Sequence, residues 1–278
     1  MLESPLITPQ QLRDSDSANR VIFDCRFSLA DFSLGQQQYS QGHLPGAFHL
    51  DMEKDLSGPK AVHGGRHPLP DPDSFSATMQ RCGVSEDTLV IAYDDNRMAG
   101  AARLWWLLRY FGHDRVQVLD GGIKGWLAIG GLLETDIPQV AQGNFRASPH
   151  PDMVVELALL KQPTSALALI DAREPPRYRG EQEPIDPVAG HIPGALNLPW
   201  VGLTDAQGCF IATEQQRQQW QALGDLQQPV VYCGSGVTAC VDLLSLAMIG
   251  RTDARLYSGS WSDWCSYPEN PIGTGDAP

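Results

Sequence analysis

The chain of 278 residues contains an internal repeat, and this repeat limits the folds open to it more than any other feature. The matching pairs are VIFDCR (21–26) with ALIDAR (168–173), GHLPGAFHL (42–50) with GHIPGALNL (190–198), and LVIAYD (89–94) with QPVVYC (228–233). The segments follow in the same order in both halves, and chance similarity rarely preserves order and spacing together. The repeat therefore predicts two similar domains.

Within each half, short apolar runs alternate with longer stretches of helical periodicity. The runs that predict strands are 21–24, 89–93 and 116–119 in the first half, and 167–171, 229–232 and 254–257 in the second. Helices are predicted over 99–112 and 237–250. Alternating strands and helices favour an α/β fold in which each domain has a mostly parallel sheet with helices on both faces.

The segment 134–152 is rich in proline, glycine and polar residues and has no periodicity, which is typical of a linker. We therefore expect a first domain over 1–135, a linker over 136–150 and a second domain over 151–278.

Composition argues against several classes of partner. The formal net charge is −13, whereas nucleic acids and anionic membranes are bound by basic surfaces. No run approaches the ~20 apolar residues that span a bilayer, and the N-terminal sequence lacks the pattern of a secretory signal. These features favour a cytoplasmic protein. The six cysteines are too sparse for a disulfide scaffold and form no C-x-x-C pair, so free thiols are expected.

One cysteine has an unusual setting. Cys233 ends a β-branched run and is followed by Gly234, Ser235 and Gly236, after which a helical pattern begins. Ligands of α/β sheets bind at the carboxyl ends of strands, and glycines allow successive backbone N–H groups to turn toward an anion. A helix N-terminus adds a positive field, so a thiolate is expected at Cys233.

Two other chemistries use similar loops. The sequence GSGVTA (234–239) matches the dinucleotide pattern G-x-G-x-x-A, but the remaining chain is too short for a complete βαβ unit and one further strand. Phosphatases pair a cysteine loop with an arginine at its end, whereas Ala239 and Cys240 stand there in this chain.

Several motifs together resemble the tandem-domain rhodanese family of sulfurtransferases. They are CGSGVTA (233–239), DAREPPRYRG (171–180), LDGGIKGW (119–126), GSWSDW (259–264) and the GH[LI]PGA sequences. The CGSGVTA loop is similar to that of the 3-mercaptopyruvate sulfurtransferase branch. The resemblance implies two rhodanese-like domains, with the active cysteine in the second and Asp94 in its place in the first.

The resemblance also implies a reaction. The Cys233 thiolate takes the sulfur of 3-mercaptopyruvate, and the resulting persulfide lies among the loop residues Gly234, Gly236, Val237 and Thr238. A thiol, for example that of a thioredoxin-like protein, or cyanide then accepts the sulfur. No metal or organic cofactor is required. Thiosulfate as the donor, or a persulfide carrier with little turnover, are the alternatives.

Four further residues receive roles, three of them from the resemblance. Arg179 binds the acidic group of the donor. Ser235 lies two residues after Cys233, and from that position we expect it to pass or accept a proton as the leaving group departs. His67 reaches the active serine, with Asp55 behind it. Where many members of the mercaptopyruvate branch have a second arginine, this chain has Ile185. His43 and His191 are expected to be structural residues of the H-x-P-G turns.

Overall fold

The computed structural model describes residues 4–15, 19–162 and 167–278. It divides into two compact units, and neither unit is one continuous stretch of the sequence. The first unit contains Met1–Gly58, Pro70–His150 and Thr204–Phe210, and the second contains Pro59–Leu69, Pro151–Leu203 and Ile211–Pro278. Each unit thus includes one short segment from the other half of the sequence.

The first unit is built on a five-stranded sheet in which every pair of neighbouring strands is parallel. Its strands are β1 (Leu6–Ile7), β2 (Arg20–Asp24), β3 (Ala47–His49), β4 (Leu89–Tyr93) and β5 (Val116–Leu119), in the spatial order β1-β5-β4-β2-β3. Its helices are α1 (Pro9–Asp14), α2 (Leu34–Gln41), α3 (Pro72–Arg81), α4 (Ala99–Tyr110) and α5 (Gly122–Ala128).

The second unit repeats this arrangement with four parallel strands. Its strands are β6 (Leu169–Asp171), β7 (Leu196–Asn197), β8 (Val230–Tyr232) and β9 (Arg255–Leu256), in the order β7-β6-β8-β9. Its helices are α6 (Leu157–Leu160), α7 (Pro175–Tyr178), α8 (Thr213–Ala222), α9 (Ala239–Met248) and α10 (Ser260–Trp264), and 3-10 turns lie at Pro151–Met153 and Trp200–Leu203.

The predicted α/β class is confirmed, and the predicted strands and helices all occur within a few residues of their expected bounds. In β4 the four residues from Val90 to Tyr93 are all buried. Successive strand residues point to opposite faces of a sheet, so both faces of β4 are covered. No described helix is long and apolar enough to cross a membrane.

The repeated Asp-x-Arg sequence forms the same polar contact in both units. Asp24 binds the guanidinium of Arg26, which also donates to the carbonyl of Gly42 at 2.8 Å. In the second unit Arg173 is paired with its own aspartate and donates to the carbonyl of Gly190 at 2.6 Å. These buried bonds tie each strand end to the glycine of the GH[LI]PG motif, which explains why the two motifs recur together.

The histidines of the same motif are structural, as expected. His43 Nδ1 lies 2.8 Å from the carbonyl of Tyr39, and its ring stacks on that tyrosine. His191 has the same bond and the same stacking with Tyr178. Both histidines are completely buried.

Candidate active site

Cys233 directly follows β8, and hydrogen bonds of both its backbone N–H and its carbonyl fix its position. Its backbone N–H donates to Ser260 Oγ at 3.2 Å, and its carbonyl accepts from the N–H of Trp261 at 2.9 Å. The side chain is nearly buried, with 2% of its surface exposed. Its Sγ lies 3.2 Å from the backbone nitrogen of Gly236, which donates a hydrogen bond to it.

Gly236 can only be glycine in this loop. Its φ of +79° is in the left-handed region, and a Cβ at this position would lie 2.5 Å from the carbonyl oxygen of Ser258. The loop is also held by the N–H of Ser262, which donates to the carbonyl of Gly234 at 3.0 Å. The sequence before and within α10 therefore forms the wall against which the cysteine loop packs.

The rest of the loop leads into α9. Val237 is buried, and Thr238 occupies the N-cap position without a hydrogen bond from its side chain to the helix. The backbone thus turns from strand to helix within the six residues 233–238, directly beside the sulfur.

His67 and Ser235 are in direct contact. His67 Nδ1 lies 2.7 Å from Ser235 Oγ, and both side chains are more than nine-tenths buried. His67 belongs to the Pro59–Leu69 segment, which is part of the second unit. The contact gives the serine hydroxyl a basic neighbour, and the catalytic role of the two residues remains a prediction.

The Pro59–Leu69 segment is anchored to the residues that support the cysteine loop. The N–H of Gly64 donates to Asp263 Oδ1 at 2.7 Å, and the N–H of Arg66 donates to Ser262 Oγ at 3.0 Å. Gly65 has a φ of +85°, and a Cβ there would lie 2.4 Å from the carbonyl oxygen of Gly259. The two backbones therefore pack closely, and this contact requires glycine.

Two arginines that the sequence analysis did not select lie against Gly234. A methyl group added to this glycine would lie 2.9 Å from Nη2 of Arg66 and 3.3 Å from Nη2 of Arg177. Both guanidinium groups therefore lie next to the residue that follows Cys233. The loop itself contains no cation, but the fold supplies two from distant parts of the sequence.

Arg179, to which donor binding was assigned, is placed differently. It caps the C-terminus of α7, where Nε bonds Glu181 Oε1 at 2.7 Å and Nη1 lies 3.7 Å from Asp276. Residues two apart on a helix point about 200° apart, so Arg177 and Arg179 cannot both face the loop. The motif RYRG offers two arginines, and only the helix phase distinguishes them.

A pair of carboxylates holds the two arginines at the loop. Glu183 accepts from Arg177 Nη2 at 2.7 Å, while Asp186 forms a short ion pair with Arg66 and lies 3.5 Å from Arg177 Nη2. Burial raises the pKa of the Asp186 carboxyl, and its bond to Arg66 opposes this shift. For Glu183 burial would also raise the pKa, but hydrogen bonds, first among them that of Arg177, outweigh it and lower the pKa.

Ile185 lies between these two carboxylates in sequence, with 43% of its surface exposed. Its backbone N–H donates to Glu183 Oε1 at 3.1 Å. An apolar side chain gives no charge to the cluster, so the cations at the loop come from Arg66 and Arg177.

Asp55 belongs to the first unit. Its carboxylate accepts from the N–H of Asp51 at 2.9 Å and lies 3.4 Å from Arg81 Nη2. Its assignment as the acid behind His67 stays a prediction.

Asp94 takes the position of Cys233 in the first unit. The N–H of Ile123 donates to the Asp94 carbonyl at 3.0 Å, just as the N–H of Trp261 donates to that of Cys233. These two bonds make Ser260 the counterpart of Gly122, and their φ angles are +56° and +55°. The four backbone N–H groups that donate to the Asp94 carboxylate, at 2.8–3.0 Å, are those of Asn96, Met98, Gly100 and Ala101.

The comparison with known proteins agrees with this geometry. The model of the rhodanese-like domain matches residues 8–129 and 155–267. A "Probable 3-mercaptopyruvate sulfurtransferase" of Pseudomonas aeruginosa is 44% identical over 99% of this chain and 100% of its own length. A "Putative thiosulfate sulfurtransferase SseB" of Mycobacterium tuberculosis is 43% identical, over 92% of this chain and 91% of that protein.

Among solved structures, SseA of Escherichia coli, described as having the "Rhodanese" fold of 3-mercaptopyruvate sulfotransferases, superposes with a TM-score of 0.80. It is 35% identical, and the match covers 93% of this chain and 99% of that one. Two matched domains, near full-length relatives and the shared fold lead to one conclusion. The chain belongs to the rhodanese family, as a member with two rhodanese-like domains.

Proposed function

We propose that this protein is a sulfurtransferase that moves sulfur from 3-mercaptopyruvate to a thiol or to cyanide through a persulfide on Cys233. The observation that carries the proposal is the placement of the Cys233 sulfur. It accepts from the N–H of Gly236, and the guanidinium of Arg177 lies over the adjacent Gly234. A nucleophile, an anion-binding backbone and a cation for the donor's carboxylate therefore meet in one place.

In the first step the Cys233 thiolate attacks the thiol sulfur of 3-mercaptopyruvate. A bond forms between the two sulfur atoms, the carbon–sulfur bond breaks, and its electron pair passes to C3 to give the enolate of pyruvate. The proton of the donor thiol ends on C3, so pyruvate leaves and the enzyme retains an anionic persulfide. The N–H of Gly236 donates to the Cys233 sulfur, which favours the thiolate that begins this step.

Ser235 and His67 are suited to move this proton. The serine hydroxyl lies within hydrogen-bond distance of His67 Nδ1, so the histidine can take the hydroxyl proton as the hydroxyl receives one from the donor thiol, and return it as the hydroxyl protonates C3. Burial of both groups keeps water from competing for the enolate.

In the second step an acceptor thiolate attacks the outer sulfur of the persulfide. The new sulfur–sulfur bond forms on the acceptor as the old one breaks, and Cys233 leaves as the thiolate with which the cycle began. Cyanide takes the same sulfur to give thiocyanate.

Thiosulfate is the second candidate donor, because the site holds two guanidinium groups where the loop sequence holds none. Each arginine is nevertheless paired with a carboxylate, Glu183 or Asp186, so the net charge of the cluster is close to zero. A site of this kind suits the single carboxylate of mercaptopyruvate better than a dianion whose leaving group, sulfite, also carries two charges.

Steady-state rates with the two donors, measured side by side, test this proposal. We expect a higher kcat/KM for 3-mercaptopyruvate, and a gain in protein mass of one sulfur atom that cyanide reverses. Cys233→Ser should abolish the gain in mass. Cys209 is a half-buried cysteine of the first unit, and Cys209→Ser should still gain the sulfur atom. Faster turnover of thiosulfate would overturn the donor assignment, and a mass gain without turnover would indicate a persulfide carrier.

A further inference from the structure

Arg66 is the charged side chain that approaches the cysteine loop most closely at Gly234. We propose that Arg66 supplies, beside Arg177, the second cation that binds the donor's carboxylate. The inference rests on the proposed function and names the residue that determines its specificity for an acidic donor.

Hydrogen bonds fix the backbone around Arg66, and the ion pair with Asp186 orients its side chain. The N–H of Arg66 is bonded to Ser262 Oγ, and the next residue, His67, is bonded to Ser235. On the other side, Gly65 packs against the backbone of Gly259. An arginine held in this way loses little further conformational entropy when it binds an anion.

Arg66 and Arg177 already share one carboxylate. Asp186 forms a short ion pair with Arg66 Nη1, and its other oxygen lies 3.5 Å from Arg177 Nη2. The nitrogens of the two forks that do not bind Asp186, Arg66 Nη2 and Arg177 Nη1, lie 2.9 Å and 3.5 Å from a Cβ built on Gly234. A donor carboxylate above Gly234 can therefore be bound by both guanidinium groups, as the carboxylate of Asp186 is from the other side.

The position of Arg66 in the sequence explains why a motif search overlooks it. It comes from the Pro59–Leu69 segment of the first half of the chain, whereas Arg177 and Ile185 lie in the second half. Ile185 is half exposed and uncharged, and its backbone alone takes part in the cluster. The fold thus brings a cation from a different segment to the place where the loop 183–186 has none.

Removal of Arg66 should weaken donor binding more than it slows the chemistry. For Arg66→Ala we expect KM for 3-mercaptopyruvate to rise by about 10- to 100-fold, the usual effect of losing a charge-assisted contact, with kcat changed by less than about threefold. The control is Arg251→Ala, because this arginine is also ion-paired, with Asp253, and also lies in the second unit. Its KM should stay within about twofold of the wild type.

A KM of wild-type size in Arg66→Ala would overturn the inference, and so would a fall in kcat alone, because the latter would mean that Arg66 only positions His67. Arg66→Gln serves as a second neutral variant if the alanine variant is unfolded, with the same expectation for KM. Sulfur loading of the wild type distinguishes a failure of this inference from a failure of the proposed function. If wild-type Cys233 gains sulfur from 3-mercaptopyruvate but KM is the same in Arg66→Ala as in the wild type, only the inference about Arg66 fails. If the wild type gains no sulfur, the proposed function fails and the inference falls with it.

Discussion

At the scale of single residues, the two units have the same loop geometry but place different side chains in it. Each has a loop at the end of its central strand whose backbone N–H groups converge on one atom or group. In the second unit Gly236 donates to the sulfur of Cys233, and in the first unit four N–H groups donate to the carboxylate of Asp94. The Asp94 side chain thus occupies in the first unit the place that the Cys233 sulfur occupies in the second.

The buried Asp94 carboxyl should make the first unit less stable as the pH rises. Burial raises the pKa of Asp94 to about 6, from an ordinary 3.8, although the backbone N–H groups oppose the shift. The folded state therefore binds the proton more tightly, so this contribution is present below pH ~4 and is lost as the pH passes through about 6. The shift corresponds to about 3 kcal/mol.

Denaturant unfolding from pH 4.5 to about 7.5 would measure this effect. The Asp94→Asn variant should lose the corresponding slope, although it should be less stable throughout, because an amide cannot accept from all four donors. An identical slope in wild type and variant would show that the proton is not bound at Asp94.

Ser260 has a strained backbone conformation, and the hydrogen bonds of its hydroxyl offset this strain. It has a φ of +56° while fully buried, and its Oγ accepts from Cys233 N–H and donates to the Tyr257 carbonyl. Ser260→Ala should lose about 1–2 kcal/mol of stability together with the bond to Cys233. Ser260→Gly loses the same bond but adopts this φ without strain, so it should be the more stable variant. Thermal unfolding compares them, and a less stable glycine variant would contradict the strain argument. Both should load sulfur more slowly than wild type.

At the scale of elements, the site depends on close backbone contacts between the loop 233–238 and the start of α10. Two glycines flank α9 and provide a matched comparison. Gly236 and Gly250 both have positive φ, but a Cβ on Gly236 would meet the Ser258 carbonyl at 2.5 Å, whereas nothing lies within 4 Å of a Cβ on Gly250.

Gly250→Ala should therefore cost only the left-handed backbone penalty, about 1 kcal/mol, and keep wild-type sulfur loading. Gly236→Ala must also move the loop away from α10, and should reduce loading by more than 100-fold through the misplaced N–H donor, in line with losing an oxyanion-type contact. Rates of persulfide formation by mass spectrometry measure both variants. Similar rates would mean that the loop can shift without loss of function.

At the scale of the whole molecule, the sequence predicts those strands and motifs that are determined by neighbouring residues in the chain. The apolar runs of β2, β4, β5 and β8 and the repeated Asp-x-Arg and GH[LI]PG motifs are visible without a structure. The short edge strands β1, β3 and β7 are not, because they lie in no apolar run long enough to show the period of a strand. That Arg177 lies against Gly234 depends on the phase of a four-residue helix. The position of Arg66 depends on the Pro59–Leu69 segment, which belongs to the second unit although it comes from the first half of the chain. Such contacts arise from tertiary packing and leave no local pattern.

This exchange of segments leads to a prediction about the isolated second half. Residues 151–278 retain Cys233, Ser235 and Arg177 but lack Arg66 and His67, which belong to the second unit through the Pro59–Leu69 segment. Even if folded, that fragment should lose most of its activity with 3-mercaptopyruvate, because neither the second cation nor the base beside Ser235 is present. Cys233 should still react with an alkylating reagent.

The full-length His67→Ala variant separates the missing histidine from the missing unit. It should lower kcat by about 10²–10⁴-fold, as expected for a lost proton-transfer partner, with little change in KM, since both arginines remain. Loss of activity in the fragment but not in this variant would point to the arginine or to folding rather than to His67. Full activity in the fragment would mean that the Pro59–Leu69 segment, despite its hydrogen bonds to Ser235, Ser262 and Asp263, takes no part in the reaction.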